Sequence, residues 1–88
     1  MLSAAVMTRR EIAREAVKLA FADLVERVRA EEEFMLAAQF HGPERRLEDE
    51  ARHSEIAMEV RAAEWRLQQA EAEYQAAIDA ENNQAGAS

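Results

Sequence analysis

The chain carries two long runs of spaced apolar residues, one on each side of a single Gly42-Pro43. In each run the apolar positions recur in alternating steps of three and four, which keeps their side chains on one face of an α-helix; sustained, this spacing is the pattern of a coiled-coil seam. Folding the chain back at Gly42 brings the two seams together. The sequence therefore predicts an all-α fold, an antiparallel two-helix hairpin with coiled-coil-like packing. The seam positions are Val17, Phe21, Leu24, Val28, Glu31, Met35 and Ala38, then His53, Ile56, Val60, Ala63, Leu67, Ala70, Tyr74 and Ala77.

The register of this hairpin follows from the fold-back point. Val28 is expected to face Ile56, and the large Phe21 to face the small Ala63, as interdigitating layers prefer. Thr8 and Glu11 match the capping box that starts a helix. At the turn, we expect Gly42 in the left-handed conformation that ends a helix and Pro43 at the first position of the next helix. The predicted organisation is a flexible lead over 1–7, a hairpin over 8–81 (helix 8–40, turn 41–43, helix 43–81) and a disordered tail over 82–88.

Composition narrows the range of functions. The chain of 88 residues has no cysteine and a net charge of -7. A disulfide framework and a thiolate metal site are therefore excluded, and direct binding to nucleic-acid phosphates is disfavoured. The sequence offers neither a Gly-rich phosphate loop nor an apolar run long enough to span a membrane. We expect a cytoplasmic protein that is not an enzyme, needs no cofactor, and binds neither nucleic acid nor membranes.

The second helix has a further apolar stripe that includes Met58 and Trp65, about a third of a turn from its seam. A helix that is apolar on two faces usually touches two neighbours. We therefore expect two hairpins to pair into a dimeric four-helix bundle. Trp65 is also the only tryptophan in the chain, and tryptophan is enriched at protein interfaces. A role for Trp65 in covering the core of its own hairpin remains an alternative.

The end of the first helix is apolar around most of its circumference. Its partner helix can cover only part of that surface, so we expect a protein partner to cover the rest. The candidate partner-binding residues are Phe34, Leu36, Ala37 and Phe40 at this tip, together with Met58 and Trp65 on the second helix.

Two polar residues, Glu31 and His53, occupy seam positions that face each other. We expect this pair to fix the register of the two helices, as one buried polar residue does in coiled coils. Glu50 and His53 also form a Glu-x-x-His sequence. Together with a Glu from the neighbouring helix, this arrangement resembles the half-site of ferritin-like di-iron bundles, and Ala57-Met58 and Trp65 extend the resemblance to small encapsulin-targeted ferritin-like chains. The resemblance implies a metal site at Glu31, Glu50 and His53, completed by dimerisation.

The resulting functional hypothesis is a protein-binding module: a small acidic regulator, adaptor or inhibitor, of the size and type that phages also carry, acting through apolar helix faces. Two alternatives remain open. In the first alternative the chain is a structural subunit of a larger assembly. In the second it holds the ferritin-like metal site just described.

Overall fold

The structure, a computed structural model, describes residues 6–86. Two long helices account for most of them. Helix α1 spans Arg9–Ala38 and helix α2 spans Arg46–Gly86, with a 3-10 turn at Pro43–Arg45 between them. The two helices pack against each other along their lengths. No strand is present in this part of the chain. The predicted all-α hairpin is confirmed.

The start of α1 is fixed by the predicted capping box. The Thr8 hydroxyl accepts a hydrogen bond from the Glu11 backbone N–H at 3.1 Å, and the Glu11 carboxylate accepts one from the Thr8 backbone N–H at 3.1 Å. These bonds satisfy two donors that a helix N-terminus otherwise leaves without an intrahelical partner. They also lower the pKa of Glu11, chiefly through the bond from the Thr8 backbone. The helix therefore begins at Arg9, directly after its cap.

Replacement of Thr8 by Ala is expected to lower the free energy of unfolding by about 1 kcal/mol, the usual cost of losing an N-cap side chain. Urea unfolding followed by circular dichroism would measure the loss. Ser54→Ala, which removes an exposed hydroxyl within α2, serves as the control. Equal stability of Thr8→Ala and the wild type would show that the capping box does not hold the helix start.

The turn is built differently from the prediction. Helix α1 ends at Ala38 rather than Phe40, and the N–H groups of Phe40 and His41 donate to carbonyls three residues back at 3.1 Å. Gly42 has φ -75° and ψ 166°, so the expected left-handed conformation was wrong. The tightened bonds reverse the chain with negative φ angles throughout. Pro43 begins the next helical segment as expected, as a 3-10 turn that leads into α2.

Helix α2 continues to Gly86, beyond the predicted end at Glu81. Residues 82–85 (Asn-Asn-Gln-Ala) contain neither proline nor glycine, so nothing in them interrupts the backbone hydrogen bonds. The tail predicted over 82–88 is therefore helical as far as Gly86. Residues 6–8 precede α1 without helical structure, whereas 1–5 of the predicted lead and 87–88 of the predicted tail lie outside the described residues.

The seam of α2 agrees with the pattern. On α1, five of the seven predicted positions are half-buried (Val17, Leu24, Val28, Glu31 and Ala38), but the helix is turned slightly about its axis relative to the prediction. The α2 positions from His53 to Ala77 are all buried or half-buried. On α1, however, Phe21 is 57% exposed and Met35 is 49% exposed. The half-buried residues are the ones immediately before them, Ala20 and Phe34. Phe21 is therefore not enclosed in the seam as expected.

This rotation has a physical reason in α1. Residues 20, 27 and 34 repeat with the same spacing as 21, 28 and 35, and either set completes a seam with Val17, Leu24, Glu31 and Ala38, so two seams fit one periodicity. The seam through Ala20 places a small side chain in the contact and lets Arg27 and Asp23 reach α2. The ion pairs of these two residues, described below, accompany the rotated packing.

The hairpin is one helix layer thick and has little core. Its shortest dimension is 14 Å and its longest is 68 Å. Within 6–86 the buried apolar residues are Ala13, Ile56, Ala63 and Ala77, of which only Ile56 has a large side chain. Globular domains normally bury their apolar faces between two or more layers. Here both broad sides of the single layer are left open.

Candidate interaction surfaces

An apolar line runs along the side of α2 that faces away from α1. We call Ala51, Met58, Trp65 and Ala72 the outer line; all four are exposed, and Trp65 is 61% exposed. Each lies two residues from the nearest seam positions on either side, which places it about 160° from both. The predicted offset of a third of a turn was too small. The alternative that Trp65 covers the core of its own hairpin does not fit its exposure.

The tip of the hairpin presents most of the predicted apolar residues to solvent. Leu36 and Ala37 are exposed, and Phe40 is 87% exposed. Phe34 differs, because it is half-buried and its ring stacks on His53 with centroids 6.4 Å apart. Leu47, at the start of α2, is also exposed. Pattern reasoning missed Leu47 because it follows the turn and continues no stripe.

A cavity of about 510 Å³ opens beside the turn between the helix ends. Nδ1 of His41 donates to Oδ2 of Asp49 at 2.9 Å there, and both side chains are largely buried. This pair links the residues before and after the turn and holds the two helix ends together. Sequence reasoning missed it; the only available signal was a His and an Asp placed eight residues apart across Gly42-Pro43.

Glu31 and His53 lie opposite each other in the seam. Nε2 of His53 is 3.4 Å from Oε2 of Glu31, and the pair is partly open to solvent. The contact is long for a charge-assisted hydrogen bond. Whether this pair sets the register stays a prediction, and neighbouring contacts such as the stacking of Phe34 on His53 share the same position.

The third residue of the ferritin-like alternative, Glu50, is bound by an arginine of its own helix. Glu50 accepts a hydrogen bond from Nε of Arg46 at 3.1 Å. Over residues 6–86 no three His, Cys, Asp or Glu side chains converge in a way that could hold a metal ion. A single hairpin therefore does not assemble Glu31, Glu50 and His53 into a ligand set.

One flank of the seam is closed by ion pairs between the helices. Nη2 of Arg66 lies 3.0 Å from Asp23, Nη1 of Arg27 lies 3.2 Å from Glu59, and Nη2 of Arg9 lies 2.8 Å from Glu73. Asp23, Glu59, Arg66 and Glu73 each immediately precede a seam position, which puts them on the same side of the helix pair, and Arg9 lies two heptads before Asp23 on that side. The hydrogen bond from Arg66 is the main reason that the pKa of Asp23 lies below its ordinary value of 3.8.

Asp23→Asn is expected to reduce the acid sensitivity of the hairpin. Because folding lowers the pKa of Asp23, its stabilising contribution is complete above pH 3.8 and is lost as the pH falls through the lower folded-state value. Urea midpoints measured from neutral pH downwards should show the variant less stable than wild type at pH 7, with the difference shrinking as the pH falls below 3.8.

The control for this measurement is Glu26→Gln, which removes an exposed carboxylate that makes no ion pair with another described residue. This variant should keep the acid profile of the wild type. A profile that is the same for Asp23→Asn and wild type would show that the Asp23–Arg66 pair contributes nothing to folding.

The opposite flank of the seam is apolar on α1. Phe21, Val25, Val28 and Met35, which we call the α1 strip, run along it, and all but the half-buried Val28 are exposed. All four immediately follow a half-buried seam position, so they lie on the side away from the ion pairs. A shallow cavity of about 340 Å³ opens on this surface beside Val25 and Val28. The sequence pattern assigned three of these residues to the seam and therefore did not reveal the strip.

Comparison with known proteins adds no relative. No protein-family model matches the chain, and no curated protein or solved structure is significantly similar to it. Neither α1 nor α2 combines the length and the apolarity required to cross a membrane. The surfaces described above are therefore the basis for a functional hypothesis.

Proposed function

We propose that this hairpin is a non-enzymatic protein-binding module, a small acidic regulator, adaptor or inhibitor of the cytoplasm, which holds its partner through the outer line and the tip. The observation that carries the proposal is the exposure of Met58 and Trp65 on the side of α2 opposite the seam. Large apolar side chains in that position do nothing for the hairpin's own core. Tryptophan is among the residues that contribute most to binding when a partner covers them.

The tip supports the same proposal. Phe40 is almost fully exposed and Leu36 and Leu47 lie exposed nearby. Helix surfaces with spaced apolar anchors commonly dock into the groove of a partner or complete its helical bundle. The net charge of -7 favours a partner with a basic surface around that groove.

The proposal is tested by quantitative capture with matched variants. The immobilised wild-type protein is expected to retain a specific protein from extracts of its source cells. Trp65→Ala should weaken binding of that purified protein by about 30-fold, the effect of removing a hot-spot side chain. Gln68→Ala, another exposed position of α2, serves as the matched control. Circular dichroism must show equal helicity in all three proteins.

The same experiment separates the alternatives. Equal binding by wild type and Trp65→Ala would contradict a role for the outer line, and the Phe40→Glu variant then tests the tip. A purified protein that forms species larger than a dimer, without any other bound protein, would favour a structural subunit. Stoichiometric iron that is lost in His53→Ala would favour the ferritin-like site.

A further inference from the structure

The α1 strip is an apolar surface that the proposed function does not use. Phe21, Val25, Val28 and Met35 lie on a broad side of the single helix layer, whereas the outer line lies at its edge. A partner bound to the outer line would leave the broad sides of the helix layer exposed. A second layer packed on a broad side would cover the seam between α1 and α2. We propose that a second copy of this chain covers the α1 strip, with the two strips packed antiparallel about a two-fold axis.

The surface area of the hairpin supports an occupant of this size. Its accessible surface is 7124 Å², against about 5,200 Å² for a compact monomer of the same mass. The difference is roughly twice the ~800 Å² that each partner buries in a standard interface. The excess is therefore more than enough for one standard interface, and a second copy on the broad side would bury a little under half of it.

The charges along α1 favour a second copy over an unrelated partner. Lys18 lies one turn before Phe21, and Glu32 lies one turn before Met35, on the same side of the helix as Val25. Both are exposed, and Lys18 has only a 3.9 Å contact with Glu15 of its own helix. When two strips run antiparallel, the basic end of each meets the acidic end of the other. Such self-complementarity is what a two-fold interface requires.

The axis passes between Val25 and Val28 in this arrangement. Phe21 of one copy then lies within a turn of Met35 of the other, and Lys18 lies within a turn of Glu32 of the other. The Arg27–Glu59 ion pair fixes the part of α2 at the same level. Ala57 lies near that level on the broad side, with Ser54 one turn before it and the exposed Arg61 one turn after it, so small side chains face the second layer on the turn side of Glu59.

Sedimentation analysis of the whole chain tests the proposal. Wild type is expected to be a dimer, and Phe21→Glu should raise the dissociation constant by about 100-fold. Leu19→Glu is the matched control, because Leu19 is equally exposed on α1 but lies on the other flank. Trp65→Ala should also remain dimeric, which separates this interface from the partner surface. A wild type that stays monomeric at about 100 μM, far above the dissociation constants of standard interfaces, would overturn the proposal.

A charge exchange keeps the test informative if Phe21→Glu fails to fold. Lys18→Glu and Glu32→Lys should each weaken the dimer by about tenfold, because each variant pairs like charges across the axis. The double variant should regain wild-type affinity, and a mixture of the two single variants should form heterodimers. Glu26→Lys, on the other flank, should change nothing. Failure of the double variant to recover affinity, or monomerisation by Glu26→Lys, would contradict the antiparallel pairing.

Discussion

Replacing Ile56 with Ala is expected to cost about 3 kcal/mol of the free energy of unfolding and to leave a large fraction of the protein unfolded at room temperature. Ile56 is 5% exposed and is the only large side chain among the buried apolar residues of 6–86. Its truncation removes most of the branched aliphatic volume at the centre of the seam. The helicity at 222 nm and the urea midpoint, taken at one fixed protein concentration, measure the effect.

Met58→Ala is the matched control for this experiment. Met58 lies two residues away on the same helix, loses a side chain of similar size, and is exposed on the opposite side. Its replacement should change the midpoint little, since alanine has the highest helix propensity. Equal losses in the two variants would mean that the seam of α2 does not face α1.

Replacing Ala63 with Leu is expected to destabilise the hairpin by about 2 kcal/mol, although leucine is a good helix former. Ala63 has no exposed surface at all, so three additional carbons have to displace α1 or adopt a strained rotamer. Thermal and urea unfolding would show the loss. Displacement of α1 should also weaken the cross-helix ion pairs next to this position.

Ala62→Leu provides the control, because Ala62 precedes Ala63 in the same helix and is exposed. That variant should retain wild-type stability. If Ala63→Leu were as stable as Ala62→Leu, the close approach of the helices at Ala63 would be contradicted.

The sequence was sufficient to predict the hairpin and the face of α2 that enters it. His53, Ile56, Val60 and the later seam positions repeat without an alternative beside them, because the positions next to them are mostly charged or polar. The capping box at Thr8 was equally clear, since its two hydrogen bonds are local. Features that depend on one helix alone were therefore predictable.

The face of α1 was not predictable in the same way. Phe21, Val28 and Met35 form a more apolar line than Ala20, Arg27 and Phe34, so apolarity alone favoured the wrong one. The observed rotation depends on α2, whose Glu59 and Arg66 bind the charged residues of α1. An interaction between residues 32 or 43 positions apart leaves no trace in the periodicity of either helix.

The conformation of the turn could not be predicted from the sequence either. A glycine before a proline is compatible with several chain reversals, and the tightened hydrogen bonds of Phe40 and His41 decide between them. The His41–Asp49 pair depends on that choice, because it forms only after the chain has reversed. The two interaction surfaces differ in the same way. The outer line could be predicted from the pattern of α2 alone, whereas the α1 strip could be recognised only once the packing of both helices was known.

The predominance of alanine in the core has a thermodynamic consequence. The heat capacity change of unfolding grows with the apolar area that becomes exposed, and globular proteins gain about 12–15 cal/mol/K per residue. Ala13, Ala63 and Ala77 expose little on unfolding, so an isolated hairpin should fall below that range and melt over a broad span of temperature. Association through the α1 strip would supply most of the missing heat capacity. The sharpness of the melting transition would then depend on protein concentration.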